Sequence, residues 1–215
     1  MGPRATILGV RHLAIYLIIF GATLAACVLV FAGTTLTLKL GLKPLVSGTV
    51  LVSLTFAAIC ITRPGSWIVS TGVVLVTAIF AGTAIGRAVK SEPALIAMCV
   101  TAAVSDVLSF SVGLTHKMLT SYASGGNQLL VYFCFSVPIG SVIAPLVGIG
   151  DLLILGALFC GLRNLGYSEA ETFIVPVIGL LIALGIGLLV NSIFALPFVA
   201  GAVITYILVR RKTAS

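Results

Sequence analysis

Charge is what this sequence has least of. Only five residues are acidic, and 8% of the chain is charged against 60% hydrophobic. An ordinary soluble domain is about 25% charged and about 45–50% apolar. No water-soluble fold of this length hides so much apolar surface, so lipid is the expected solvent for most of the chain. Histidine is almost missing, with His12 and His116 alone, which argues against a metal centre; no metal and no other cofactor is expected. The five cysteines, Cys27, Cys60, Cys99, Cys134 and Cys160, all fall inside apolar runs without Cys-x-x-Cys spacing. They read as small buried hydrophobes. The net charge of +7 does not indicate nucleic acid, because the Lys and Arg residues lie singly or in short groups between apolar runs. That is the habit of loops flanking membrane helices, and the triplet Arg210, Arg211, Lys212 reads as a cytoplasmic anchor against anionic lipid.

Long apolar runs are what the chain has in place of charge. The first, 13–33, continues past Leu24-Ala25-Ala26-Cys27, a stretch resembling a lipoprotein cleavage box. It is longer than the roughly 7–15 apolar residues of a signal-peptide core, so it reads as a membrane helix. Further spans are expected at 45–62, 66–86, 93–113, 172–192 and 195–209, with a tight turn at Arg63-Pro64-Gly65. The stretch 129–165 is too long for one helix and nearly lacks a break for two. Pro138, Gly140 and Pro145 speak against a continuous helix. The β-branched and aromatic run Val131 to Phe135 suggests an extended segment over 129–136, followed by one helix over 143–164. Irregular backbone at membrane depth must be shielded or line a wet cavity, which already hints at a site.

The expected fold is therefore an all-α polytopic membrane bundle of about seven transmembrane helices in one domain. Residues 1–113 form an N-terminal group, 114–142 a loop with a possible strand, and 143–209 a C-terminal group of three helices. With seven spans, one face carries Arg4, Arg11, Arg63 and Lys117. The other carries Lys39, Lys43, Arg87, Lys90, Arg163, Arg210, Arg211 and Lys212. The richer face is expected to be cytoplasmic, which puts the N-terminus outside and the C-terminus inside, with a cell membrane as the expected location. Two spans in 129–165 give the same split with the N-terminus inside.

The acids sort sharply. Glu92, Glu169 and Glu171 lie in expected loops, whereas the only two aspartates, Asp106 and Asp151, lie inside apolar runs. An acid at the centre of a spanning helix costs about 2.5–3.5 kcal/mol on insertion scales, so two of them need a reason. On the expected limits, Asp106 lies about 10 Å from the end of its helix and Asp151 about 12 Å from the start of the next, at 1.5 Å per residue. The two carboxyls then reach similar depths from one face. Two carboxyls in contact share a proton. The ionised member can act as a general base on water while the protonated one polarises a carbonyl. Proton- or cation-coupled transport through the same acids, and simple hydrogen bonding between helices, are the other readings of such a pair.

Gly148-Ile149-Gly150-Asp151 resembles the GxGD motif of presenilins, signal peptide peptidases and prepilin peptidases. Ser105-Asp106-Val107-Leu108, followed by Lys117-Met118-Leu119, is similar to the first-aspartate helix of presenilins and its exit loop. Ala195-Leu196-Pro197 opens the final helix, where the family carries its PAL motif. Ser105 stands where presenilins have tyrosine, Phe194 where the PAL proline would be, and four helices precede the 114–128 loop where the family usually has six. The resemblance spans roughly residues 93–209. It implies a presenilin-like bundle acting as an intramembrane aspartyl protease on transmembrane peptides, with Asp106 and Asp151 catalytic. It also implies that Gly148, Gly150, Ala195, Leu196 and Pro197 bind substrate, and that the segment upstream of Gly148 forms a strand. A catalytically inactive relative is a further reading. Independently of the family, Gly148 and Gly150 keep side chains away from Asp151 so that another backbone can approach.

Overall fold

The computed structural model describes residues 3–62, 67–113, 117–118, 120–121, 124, 129–140, 142–190 and 194–214. The predicted turn at 63–65, most of the 114–128 stretch and residues 191–193 lie outside the described residues. The chain is mostly helical. Its order is α1 (Pro3–Thr37), α2 (Leu42–Thr62), α3 (Trp67–Ala88), α4 (Glu92–Val112), a single turn α5 (Leu129–Tyr132), strands β1 (Cys134–Ile139) and β2 (Val142–Gly148), then α6 (Ile149–Asn164), α7 (Glu169–Val190) and α8 (Leu196–Ala214). Among the described residues, four helical stretches are long and apolar enough to cross a membrane: Ala14–Thr37, Trp67–Ala88, Glu92–Ser111 and Glu169–Leu189. Two of the other expected spans differ for local reasons. α6 is 16 residues long because the strands take up the preceding chain, and α8 ends in Arg210, Arg211 and Lys212.

Helix limits follow from local chemistry. Ser91 caps α4 by accepting the Ala94 N–H, with Glu92 and Pro93 in the first turn, where an acid and a proline both suit the unpaired N–H groups. Ser168 and Glu171 form a reciprocal capping box on α7: the Ser168 N–H donates to Glu171 at 2.7 Å, and the Glu171 N–H donates to the Ser168 hydroxyl at 3.3 Å.

The 129–165 region departs from expectation. Residues 129–132 are helical rather than extended, the first strand lies at 134–139, and 142–148 is a second strand instead of the start of a helix. The two strands pair antiparallel, with Ile139 opposite Val142 and Cys134 opposite Gly148. Gly140, at φ 65°, begins the two-residue connection, a conformation that favours glycine. The prolines fit this ladder. The Ser136 N–H points away from β2, to the Thr71 hydroxyl of α3 at 3.3 Å. By the two-residue alternation of a strand, Pro138 and Pro145 occupy positions of the same kind, where no ladder N–H is lost. The expected all-α bundle thus contains one β-hairpin.

The core is centred on α3 and α6. Glycines let these helices approach until their backbones touch. A Cβ on Gly82 would lie 2.7 Å from the Leu153 carbonyl oxygen, and one on Gly86 2.5 Å from that of Ala157. A Cβ on Gly156 would lie 2.9 Å from the Ala78 carbonyl oxygen. Small residues four apart allow such contact in apolar surroundings. Phe159 of α6 then meets Phe31 of α1 edge-on at 5.3 Å, and Phe31 meets Phe173 of α7 at 5.2 Å. α4 belongs elsewhere: it packs chiefly on α8 and touches α6 only sparsely.

Most described basic residues gather at one end of the bundle. Arg87 donates to the carbonyl of Thr37, which ends α1, and to that of Leu38 just beyond it, and Asn164 donates to the Gly86 carbonyl at 3.2 Å. Arg163 bridges the Thr35 hydroxyl at 3.1 Å and Glu169 at 2.7 Å. The hairpin and the start of α8 lie at the other end.

Candidate active site

Asp151 is the third residue of α6, not a residue eight positions beyond the start of a longer helix as expected. Strand β2 runs straight into that helix, so Asp151 sits at its N-terminal tip, and the hairpin brings it there. Its Oδ2 accepts the Gly148 N–H at 3.3 Å, the back half of a capping box. Asp106 lies well inside α4, six residues before Val112. Its Oδ2 accepts the backbone N–H of Leu196 at 3.1 Å, and the Ala195 N–H also bonds to the carboxyl. Each aspartate is therefore held by backbone donors from one of the two glycine- or proline-bearing motifs.

The two carboxyls line one cavity of about 570 Å³ and interact electrostatically across it. Both residues are half-buried. Among the described residues they make no hydrogen bond to each other. The carboxyls come to one cavity by another route than the two antiparallel helices expected: a helix interior supplies one acid and a helix tip, preceded by a hairpin, the other.

The remaining expected site residues divide. Gly148, Gly150 and Leu196 line the cavity. Gly150 is exposed, and a Cβ there would meet nothing within 4 Å, so the space above it is open to another chain. Ala195 serves through its backbone. Pro197 faces outward, lining a shallow groove with Val104 and Leu108 and another with Ile178 and Gly201. Leu196 is the first helical residue of α8, so Pro197 occupies the second position of the first turn.

Sequence reading missed the rest of the lining. Met98, Thr101, Ala102, Ser105 and Ser109 come from α4, and Leu153 and Ile154 from α6. The α4 set falls at helical spacing around Asp106, so the signal was the three- and four-residue period. The cavity is apolar toward Met98, Ala102, Leu153 and Ile154, and polar at the dyad. Chemically it offers two acids, fixed backbone donors on each, and an adjacent strand in β2. Among the described residues there is no cluster of His, Cys, Asp or Glu suited to a metal. No protein-family model, curated protein or solved structure matches the chain.

Proposed function

We propose that this is a seven-span membrane protein, N-terminus outside, that hydrolyses peptide bonds within transmembrane helices by an aspartyl dyad. The observation that carries the reading is the placement of Asp106 and Asp151 on one cavity, each held by a backbone N–H of the ALP or GxGD stretch. One carboxylate takes a proton from water, and the oxygen attacks the scissile carbonyl carbon. The other carboxyl gives its proton to the carbonyl oxygen, forming a geminal diol. Collapse of the diol breaks the C–N bond as a proton passes to the departing amine. The gathering of basic residues at the end away from the hairpin supports a cytoplasmic C-terminus.

A spanning helix hides its peptide carbonyls in its own hydrogen bonds, so a substrate must unwind a turn and recover bonds elsewhere. The segment expected from sequence to be extended, 129–136, offers no open edge for this. Residues 129–132 are helical, and the outer edge of β1 is engaged at Ser136 by Thr71. We place the receiving edge on β2, which leads directly to Gly148 and Asp151.

Purified protein in lipid vesicles, given a reporter helix, tests the reading. Wild type should cleave, and Asp106→Ala and Asp151→Ala should each abolish cleavage. Full activity in either variant excludes the dyad. Wild-type proton flux lost in both variants, without peptidase activity, assigns the acids to transport. Neither activity in wild type assigns the chain to inactive relatives.

A further inference from the structure

Helices α4 and α8 are joined at both ends by polar or aromatic contacts that keep step. At the dyad end, the Leu196 N–H meets Asp106 at 3.1 Å, and Phe110 meets Phe194 edge-on at 5.1 Å. At the far end, Arg211 grips Glu92 Oε2 through Nε and Nη2, both at 2.6 Å. From Glu92 to Asp106 is 14 residues along α4, and from Leu196 to Arg211 is 15 along α8. At 1.5 Å per residue these are lengths of about 21 Å and about 22 Å. The helices are therefore antiparallel and in register between two tethers, and a slip at one end must appear at the other.

The far tether is more than an isolated surface pair, which alone would contribute little. The other oxygen of Glu92 accepts the Tyr167 hydroxyl at 2.9 Å, so both carboxylate oxygens are engaged. Burial, and then the bond to Glu92, raise the Tyr167 phenol above its ordinary range, so it stays a donor. The Arg210 guanidinium lies over the Tyr167 ring at 4.3 Å and reaches Glu171 at 3.8 Å, and Glu171 also accepts the Tyr206 hydroxyl. The C-terminal end of α8 is thereby fixed to α4, to the α6–α7 connection and to the start of α7. At the dyad end, by contrast, α4 faces a cavity and touches α6 sparsely, so α8 is its principal support.

We infer that Glu92 and Arg211 are positioning residues: their ion pair sets the register of α8 on α4 and so holds the Leu196 N–H on the Asp106 carboxyl about 21 Å away. The catalytic consequence rests on the protease reading, whereas the register does not.

The test uses Glu92→Arg, Arg211→Glu and the double exchange in the full chain in vesicles, with two readouts. The first needs no activity: with Phe110→Cys and Phe194→Cys added, oxidation should yield a 110–194 disulfide, quantified by mass spectrometry of the joined peptides. Each single reversal should lower that yield severalfold in the monodisperse fraction, and the exchange should restore it. The second is cleavage without the added cysteines. Each reversal should lower kcat on the order of 100-fold, the penalty of a displacement near 1 Å, with KM unchanged, and the exchange should recover most of the loss. Unchanged disulfide yield and kcat in the single variants overturns the inference. So does a loss that the exchange fails to repair, which marks the pair as a folding contact only. If the disulfide yield follows the predicted pattern while wild type cleaves nothing, the register stands and the protease reading falls.

Discussion

The two aspartates sit on opposite kinds of packing. Asp151 rides on α6, whose backbone is pressed against α3 through Gly82, Gly86 and Gly156. Asp106 rides on α4, which faces α6 across a cavity and is held mainly by α8. Lipid gives helices no hydrophobic reason to associate with one another, so contact must come from close packing or polar bonds. The α3–α6 seam uses the first and the α4–α8 pair uses both. One acid is thus fixed by shape and the other by tethers, and the space between the two halves is where a substrate segment would lie.

The largest expected effect lies on the seam. Gly86→Leu drives a side chain into the Ala157 carbonyl and Cys160. It should destabilise by about 3 kcal/mol or more, as severe overpacking does, read as loss of monodisperse protein and a lower Tm in detergent. A variant as stable as wild type would break the contrast between the two halves. Across the cavity, Ala102→Leu should do the reverse. It fills space toward Leu153 and Ile154 with a stability change within about 1.5 kcal/mol. It should lower kcat/KM about tenfold, or about 1.4 kcal/mol of transition-state stabilisation, and shift cleavage toward substrates with a smaller residue beside the scissile bond.

The hairpin lies between these extremes. Ala144 faces Val137 in the ladder, one position on from the outward-pointing Ser136–Pro145 pair. Ala144→Pro removes an inward donor and should reduce cleavage several-fold while the helical content by circular dichroism stays unchanged. The smallest effect is expected at Gly150, where a Cβ meets open space. Gly150→Ala should leave stability unchanged or raise it by about 1 kcal/mol through helix propensity. It should nevertheless slow cleavage modestly, because it places a methyl where a substrate backbone would pass. Full activity with higher stability would show that the substrate approaches from elsewhere.

The sequence made the first four helices legible because each is a long apolar run with a break at Lys39–Pro44, Arg63–Gly65 or Arg87–Pro93. It also singled out the two acids, since Asp106 and Asp151 alone among the acids fall inside such runs. The hairpin was harder. Pro138, Gly140 and Pro145 announced that a helix must break, but hydropathy along a membrane-buried strand looks the same as along a helix. The usable signal was the dipeptide Gly140-Ser141 between β-branched segments. Missing it placed the start of α6 six residues early and left Asp151 in a helix interior rather than at a tip. The tethers from Arg211 to Glu92 and from Leu196 to Asp106 join residues more than 80 positions apart, and no local pattern announces such pairs.

The central claim, that Asp106 and Asp151 act together on one reacting carbonyl, is tested most directly by binding of a peptide whose scissile amide is replaced by a hydroxyethylene group. That group mimics the geminal diol and needs both carboxyls at once; transition-state analogues typically exceed substrates in affinity by about 100-fold or more. The account predicts tight binding to wild type in vesicles, with Asp106→Asn and Asp151→Asn each weakening it by about 100-fold and the double variant no weaker than either single. Equal affinity for wild type and either single variant would contradict it.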